Sequence, residues 1–174
     1  NSIHAEELQD ICVHILLKSN DYNAALECME QYPDLSPELK KIQSELTYSA
    51  GMQQYKEGAY SEALNYFKKS SQVEALFWTA DTYYLLKDEN KALQNYLQFI
   101  KDPKASGSEV YALAYYNLGY LYLNRGDFKN SLTKFKEFVI HDKSSDNLRQ
   151  ADSWMRVGDC HFVQRQYNDA ITSY

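Results

Sequence analysis

Residues 115–122 read Tyr115-Tyr116-Asn117-Leu118-Gly119-Tyr120-Leu121-Tyr122. Taking Gly119 as an anchor, the positions 3, 9, 12 and 16 residues downstream hold Tyr122, Phe128, Ser131 and Phe135. The same offsets from Gly158 give His161, Tyr167, Ala170 and Tyr174; from Ala80, Tyr83, Glu89, Ala92 and Tyr96; from Gly51, Gln54, Tyr60, Ala63 and Phe67. A weaker register starts at Val13, with Leu16, Tyr22, Ala25 and Met29. Four residues before the last three anchors stand Leu76, Tyr115 and Trp154. Two antiparallel helices need this order of small and aromatic residues. Their backbones approach only where both residues at the crossing are small. The residue three after the anchor shares its face, and the one at the sixteenth place fills the seam toward the next pair. One such pair cannot bury its own face, but a stack can.

The segments between the helices agree. Lys56-Glu57-Gly58-Ala59, Lys87-Asp88, Asn124-Arg125-Gly126-Asp127 and Gln164-Arg165-Gln166 are polar turns. Gly58 and Gly126 suit left-handed helix C-caps, and Asp127 suits the N-cap of the helix that follows. Tyr32-Pro33-Asp34-Leu35-Ser36-Pro37 is the clearest break, with Ser36 as N-cap and Pro37 in the first turn of a helix to about Tyr55.

The pattern resembles the tetratricopeptide repeat, whose motif runs aromatic or Leu, Leu-Gly, Tyr, Ala, Phe. Residues 115–122 match it best, followed by Trp154-Met155-Arg156-Val157-Gly158-Asp159. The resemblance covers about residues 44–174 well and 6–32 loosely. It implies an all-α fold, a right-handed superhelix (α-solenoid) of antiparallel helix-turn-helix repeats. The expected organisation is an N-terminal helical hairpin or degenerate repeat over 1–35, then an array over 36–174. That array divides at about 36–71, 72–102, 107–142 and 146–174, with the last repeat truncated. The family period is about 34 residues, whereas the anchors lie 29, 39 and 39 residues apart. The short step requires the helix from about Tyr60 to Ser70 to turn almost directly into the next. The long steps leave room for extended first helices near 108–125 and 146–165. Such extended repeats are similar to those of bacterial envelope proteins, including periplasmic Tol-Pal partners and lipoproteins of outer-membrane assembly machinery. That likeness implies a periplasmic or envelope location. With Asn1 an unnatural start and Tyr174 the expected aromatic of a second helix, the chain reads as a fragment of a longer protein.

Composition narrows the function. Hydrophobic residues make up 44% and charged residues 24%, a soluble folded balance. With only 6 glycines and 3 prolines, long helices are favoured over a turn-rich β fold. A net charge of −6 and a densest basic run of only Lys40-Lys41 exclude nucleic acid as the expected partner. No segment reads as a membrane insertion signal. Cys12, Cys28 and Cys160 are read as small buried hydrophobes, with a Cys12–Cys28 bridge as the alternative.

Chemistry is sparse. His4, His14, His141 and His161 show no metal-ligand spacing, and His161 takes a place where other registers carry Tyr. Cys160 and His161 are adjacent on a helix and cannot face each other. Asp81 and Asp159 each follow their anchor but lie two repeats apart. No phosphate loop, metal set or cofactor motif is present, and the chain reads as a binding scaffold and not an enzyme.

The family resemblance implies that the concave groove is lined three before, one after and four after each anchor. These positions hold Tyr48, Met52 and Tyr55; Phe77, Asp81 and Tyr84; Tyr116, Tyr120 and Leu123; and Met155, Asp159 and Phe162. Such an aromatic and methionine-rich surface with acidic punctuation suits an apolar or basic peptide or protein partner. It lacks the Lys, Arg and Asn clamp with which part of the family grips a C-terminal carboxylate. The alternative is a structural spacer or self-associating segment, a homo-oligomer included, in which these side chains pack against neighbouring helices.

Overall fold

The computed structural model describes residues 22–31, 35–144 and 147–174, together with 11, 15 and 18. Tyr32, Pro33 and Asp34 in the expected break, Val13 and Leu16 in the weak register, and Cys12, His4, His14, Ser145 and Asp146 lie outside the described residues. All regular structure among the described residues is helical: α1 (Tyr22–Glu30), α2 (Pro37–Lys56), α3 (Tyr60–Lys69), α4 (Glu74–Leu85), α5 (Glu89–Lys101), a 3-10 turn (Ala105–Gly107), α6 (Tyr111–Asn124), α7 (Phe128–His141), α8 (Asn147–Val163) and α9 (Tyr167–Ser173). The chain divides into two compact units, one ending at Leu86 and one spanning Lys87–Tyr174. Within each unit consecutive helices pack on one another, as in a stack of hairpins.

The expected caps form. The Ser36 hydroxyl accepts from Leu39 N at 3.2 Å with Pro37 opening α2. Asp127 accepts from Asn130 N at 3.1 Å, and Asp88 does the same for Lys91 N at 3.1 Å. Gly58 and Gly126 adopt φ 79° and 72°. At α2 the Gly58 and Ala59 amides return to Tyr55 and Gln54 carbonyls, and Gly126 and Asp127 return to Leu123 and Tyr122. These paired bonds satisfy the last carbonyls of each helix. Lys87 and Arg165 take the same left-handed conformation without being glycine, at φ 65° and 62°.

In the first unit, Leu35, Leu39, Leu46 and Ala50 pack with Ala25, Leu26 and Met29 of α1. Ala63, Phe67 and Ala75 form a second cluster, flanked by Tyr48, Met52, Tyr55 and Trp78. The short 29-residue step has a visible cause. Buried Ser44 on α2 accepts from the Ser71 amide at 2.8 Å and the Ser71 hydroxyl at 2.7 Å. The Ser70 hydroxyl meanwhile donates to the Ser44 carbonyl at 3.0 Å. This polar staple satisfies the backbone where α3 stops and α4 starts, so no longer loop is needed.

In the second unit, buried Ser131 donates to the Gly119 carbonyl at 2.9 Å, marking the close crossing of α6 and α7. The α6 helix starts at Tyr111, after the 3-10 turn, and not near Ser108 as expected. Two further expectations are corrected. Tyr167 and Tyr174, read as repeat core, are 53% and 67% exposed. Tyr167 packs against Phe162 and Tyr174 over Gly158. Trp154, four residues before Gly158, is 42% exposed. Among the cysteines, Cys160 is buried and free, as read, but Cys28 is disulfide-bonded and only partly buried.

Candidate interaction surface

The glycine anchors of α2, α6 and α8 set how closely each of these helices approaches the one that follows it. A Cβ added at Gly51 would lie 2.7 Å from the Phe67 ring, at Gly119 2.8 Å from Phe135, and at Gly158 2.6 Å from Tyr174. In all three cases the contact is the aromatic sixteen residues on, so ring and glycine are matched in shape.

In the first unit the structure brings Tyr48, Met52, Tyr55 and Asp81 to one region. The Tyr48 ring lies 6.1 Å from Phe67, and Tyr55 meets Trp78 edge-on at 5.1 Å and Tyr60 at 5.8 Å. The Tyr55 hydroxyl donates to Asp81 Oδ2. Burial, then this hydrogen bond and the carboxylate charge, push the Tyr55 phenol well above its ordinary range. Tyr84 is half exposed. Phe77 is 1% exposed, sunk in the core edge-on to Trp78, and presents no surface. A depression of about 430 Å³ opens beside Tyr48 and Met52, bounded by Ser49, Gln53, Lys56 and Glu57.

In the second unit Tyr116 and Tyr120 of α6 lie edge to face at 5.1 Å and pack on Phe135, with Tyr116 also against Phe138. Both hydroxyls donate to Asp152 Oδ2 of α8, at 2.9 and 2.5 Å. Burial, together with bonding to an anion, raises both phenols. Arg156 then bridges two carboxylates: Nε and Nη2 reach Asp152 Oδ1 at 3.3 Å, and Nη1 reaches Asp159 Oδ2 at 2.7 Å. Its guanidinium also lies 6.0 Å over the Tyr120 ring. Tyr174 donates to Asp159 Oδ1 at 3.0 Å. Leu123 is half-buried, while Met155 and Phe162 are 50% and 57% exposed.

Sequence reasoning missed Trp78, Asp152 and Arg156. Trp78 and Asp152 fall two and six residues before their anchors, off the repeat consensus. The Asp152, Arg156, Asp159 spacing of four and three residues was nevertheless readable as a charge ladder on one helix face. The Cys160–His161 pair has no catalytic geometry. Cys160 donates to Ser131 Oγ at 3.5 Å, and burial raises its thiol above the ordinary value. His161 is buried between Gln166 Oε1, 2.7 Å from Nδ1, and Lys136 Nζ, 3.4 Å from Nε2. Among the described residues no cluster of three or more potential metal ligands occurs, and no helix is long and apolar enough to cross a membrane.

Comparison with known proteins agrees with the repeat fold. One tetratricopeptide-repeat model matches residues 116–174 and another matches residues 74–105, together more than half of the chain. The chain belongs to the tetratricopeptide-repeat family. Solved structures share the fold. MamA superposes with a TM-score of 0.62 at 15% identity, covering 92% of this chain and 89% of its own. YrrB, described as a TPR protein with an unusual peptide-binding site, gives 0.60 at 17%, covering 92% and 78%. BtubC from P. vanneervenii gives 0.63 at 14%, covering 96% and 76%. At such identities the likeness concerns the fold alone. No curated protein sequence matches the chain. TPR arrays are protein-interaction scaffolds that bind protein or peptide partners, and they are generally not enzymes.

Proposed function

We propose that this TPR chain holds partner segments against its first-helix faces, each unit taken by itself: the face of Tyr48, Met52, Tyr55 and Tyr84 in the first unit, and the face of Tyr116, Tyr120, Leu123, Met155, Asp159 and Phe162 in the second. The observation that carries this reading is the exposure of Met155 and Phe162 at groove positions of α8, next to a carboxylate. Met with aromatics makes an adaptable contact surface, and a carboxylate beside it adds a polar anchor.

A second reading has its own support. The hydroxyls of Tyr55, Tyr116 and Tyr120 are spent on Asp81 and Asp152, and Phe77 is buried, so much of the expected groove serves the chain's own packing. On that account the array is a spacer or self-associating segment. The two readings separate with the Met155→Ala/Phe162→Ala variant, whose changes lie on exposed side chains and remove one ring contact, that of Phe162 with Tyr167, so its helicity is first matched to wild type. In cross-linking pull-downs from cells, partners captured by the wild type and lost by this variant support the groove. Identical partner sets for both, or none, support the spacer.

A further inference from the structure

Asp152 and Asp159 lie seven residues apart on α8, yet their acceptor capacities differ. A carboxylate offers about four lone-pair positions. Asp152 has filled all of them: Oδ2 accepts from Tyr116 and Tyr120, and Oδ1 accepts twice from Arg156. Asp159 accepts once on each oxygen, from Tyr174 on Oδ1 and from Arg156 on Oδ2. Half its capacity is open, and its side chain is 40% exposed. Asp152 is thus a structural carboxylate, and Asp159 one that still faces outward with acceptors to offer.

The neighbours of Asp159 define what those acceptors suit. Met155 stands four residues before it and Phe162 three after, so the three share one helix face. Both flanking side chains are at least half exposed, and Phe162 is braced edge-on by Tyr167 at 5.5 Å. One guanidinium, Arg156, offsets two carboxylates, so the cluster keeps a net negative charge. A second copy of this chain, at net −6, would bring more of the same sign.

We propose that the Met155–Asp159–Phe162 stripe selects a partner segment carrying a Lys or Arg set among apolar residues. The cationic head donates to the open acceptor positions of Asp159, and its aliphatic stem lies along Met155 and Phe162. This rests on the groove reading and adds the chemistry that the groove selects.

The test is a displayed library of random peptides selected on the chain of 174 residues. Wild type should enrich peptides with one basic position flanked by apolar ones. Titration of a selected peptide should weaken about tenfold with Asp159→Asn, and about as much in wild type when the peptide's basic residue becomes Met. The two changes together should cost little more than either alone, because both remove the same contact. Met155→Ala/Phe162→Ala should weaken every selected peptide, basic or not. Enriched peptides without a basic position, or equal affinity for Asp159→Asn, would overturn the selection by Asp159 and leave the groove standing. Peptides insensitive to Met155→Ala/Phe162→Ala, or no enrichment at all, would overturn both.

Discussion

Tyr120 of α6 donates its hydroxyl to Asp152 Oδ2 of α8 at 2.5 Å, tying one first helix to the next. Tyr55 and Asp81 make the corresponding contact in the other unit. These phenol–carboxylate bonds fix how consecutive first helices sit, and so shape the face between them. Tyr120→Phe should lower stability by about 1 kcal/mol, a bond to a charged group discounted for partial exposure. Asp152→Ala should cost more, about 2 kcal/mol, because it strands two half-buried phenols and one arm of Arg156. Urea unfolding of both variants checks the order.

The glycine anchors predict an order of their own. A methyl at Gly119 meets Phe135, which is fully buried and cannot retreat. The same methyl at Gly158 meets Tyr174, whose ring is 67% exposed and can swing away. Gly119→Ala should therefore destabilise by about 1–3 kcal/mol and Gly158→Ala by distinctly less. Equal losses in chemical denaturation would show that ring mobility does not set the cost.

Those anchors also show what the sequence made legible. The contacts from Gly51, Gly119 and Gly158 to the aromatic sixteen residues on follow from helix period and helix crossing, which are local and repeat identically. The Ser36, Asp127, Gly58 and Gly126 caps were readable for the same reason. Asp152 was not, because its partners are set by how α8 lies against α6, and it falls outside the repeat motif. Phe77 shows the converse. It occupies a groove position by count, yet it is buried against Trp78 in the repeat that follows the short step from Gly51 to Ala80. Cys28 is disulfide-bonded, which its place in the repeat pattern did not require.

Turn strain can be relieved. Lys87 and Arg165 hold a left-handed backbone at φ 65° and 62°, where Gly58 and Gly126 stand in two of the other turns. Lys87→Gly and Arg165→Gly should each be neutral or stabilising by up to about 1 kcal/mol, since relief at positive φ offsets the extra freedom of the unfolded chain. Gly126→Ala should lose about 1 kcal/mol. Thermal melts of the three variants test the pattern.

Alkaline pH should loosen the array. The Tyr55 and Tyr116 phenols are raised above the ordinary 10.0 by burial first, then by their hydrogen bonds, including those to Asp81 and Asp152. The folded chain keeps these protons where the unfolded chain loses them. Their contribution is fully present below pH 10 and is lost as pH rises through the folded-state values. Phenolate absorbance should show the exposed tyrosines ionising first, with this pair following only as structure is lost. Single-step ionisation of every tyrosine near 10.0, with the fold intact, would contradict the geometry.

The proposed groove puts a partner segment on the first-helix face, and on α8 in particular. Amide hydrogen exchange with and without a library-selected peptide tests it most directly. Exchange should slow in α8, within Asn147–Val163, and in the facing part of α6, within Tyr111–Asn124, with α7 unchanged. Protection confined to α7, or spread evenly over the chain, would place the partner elsewhere and contradict it.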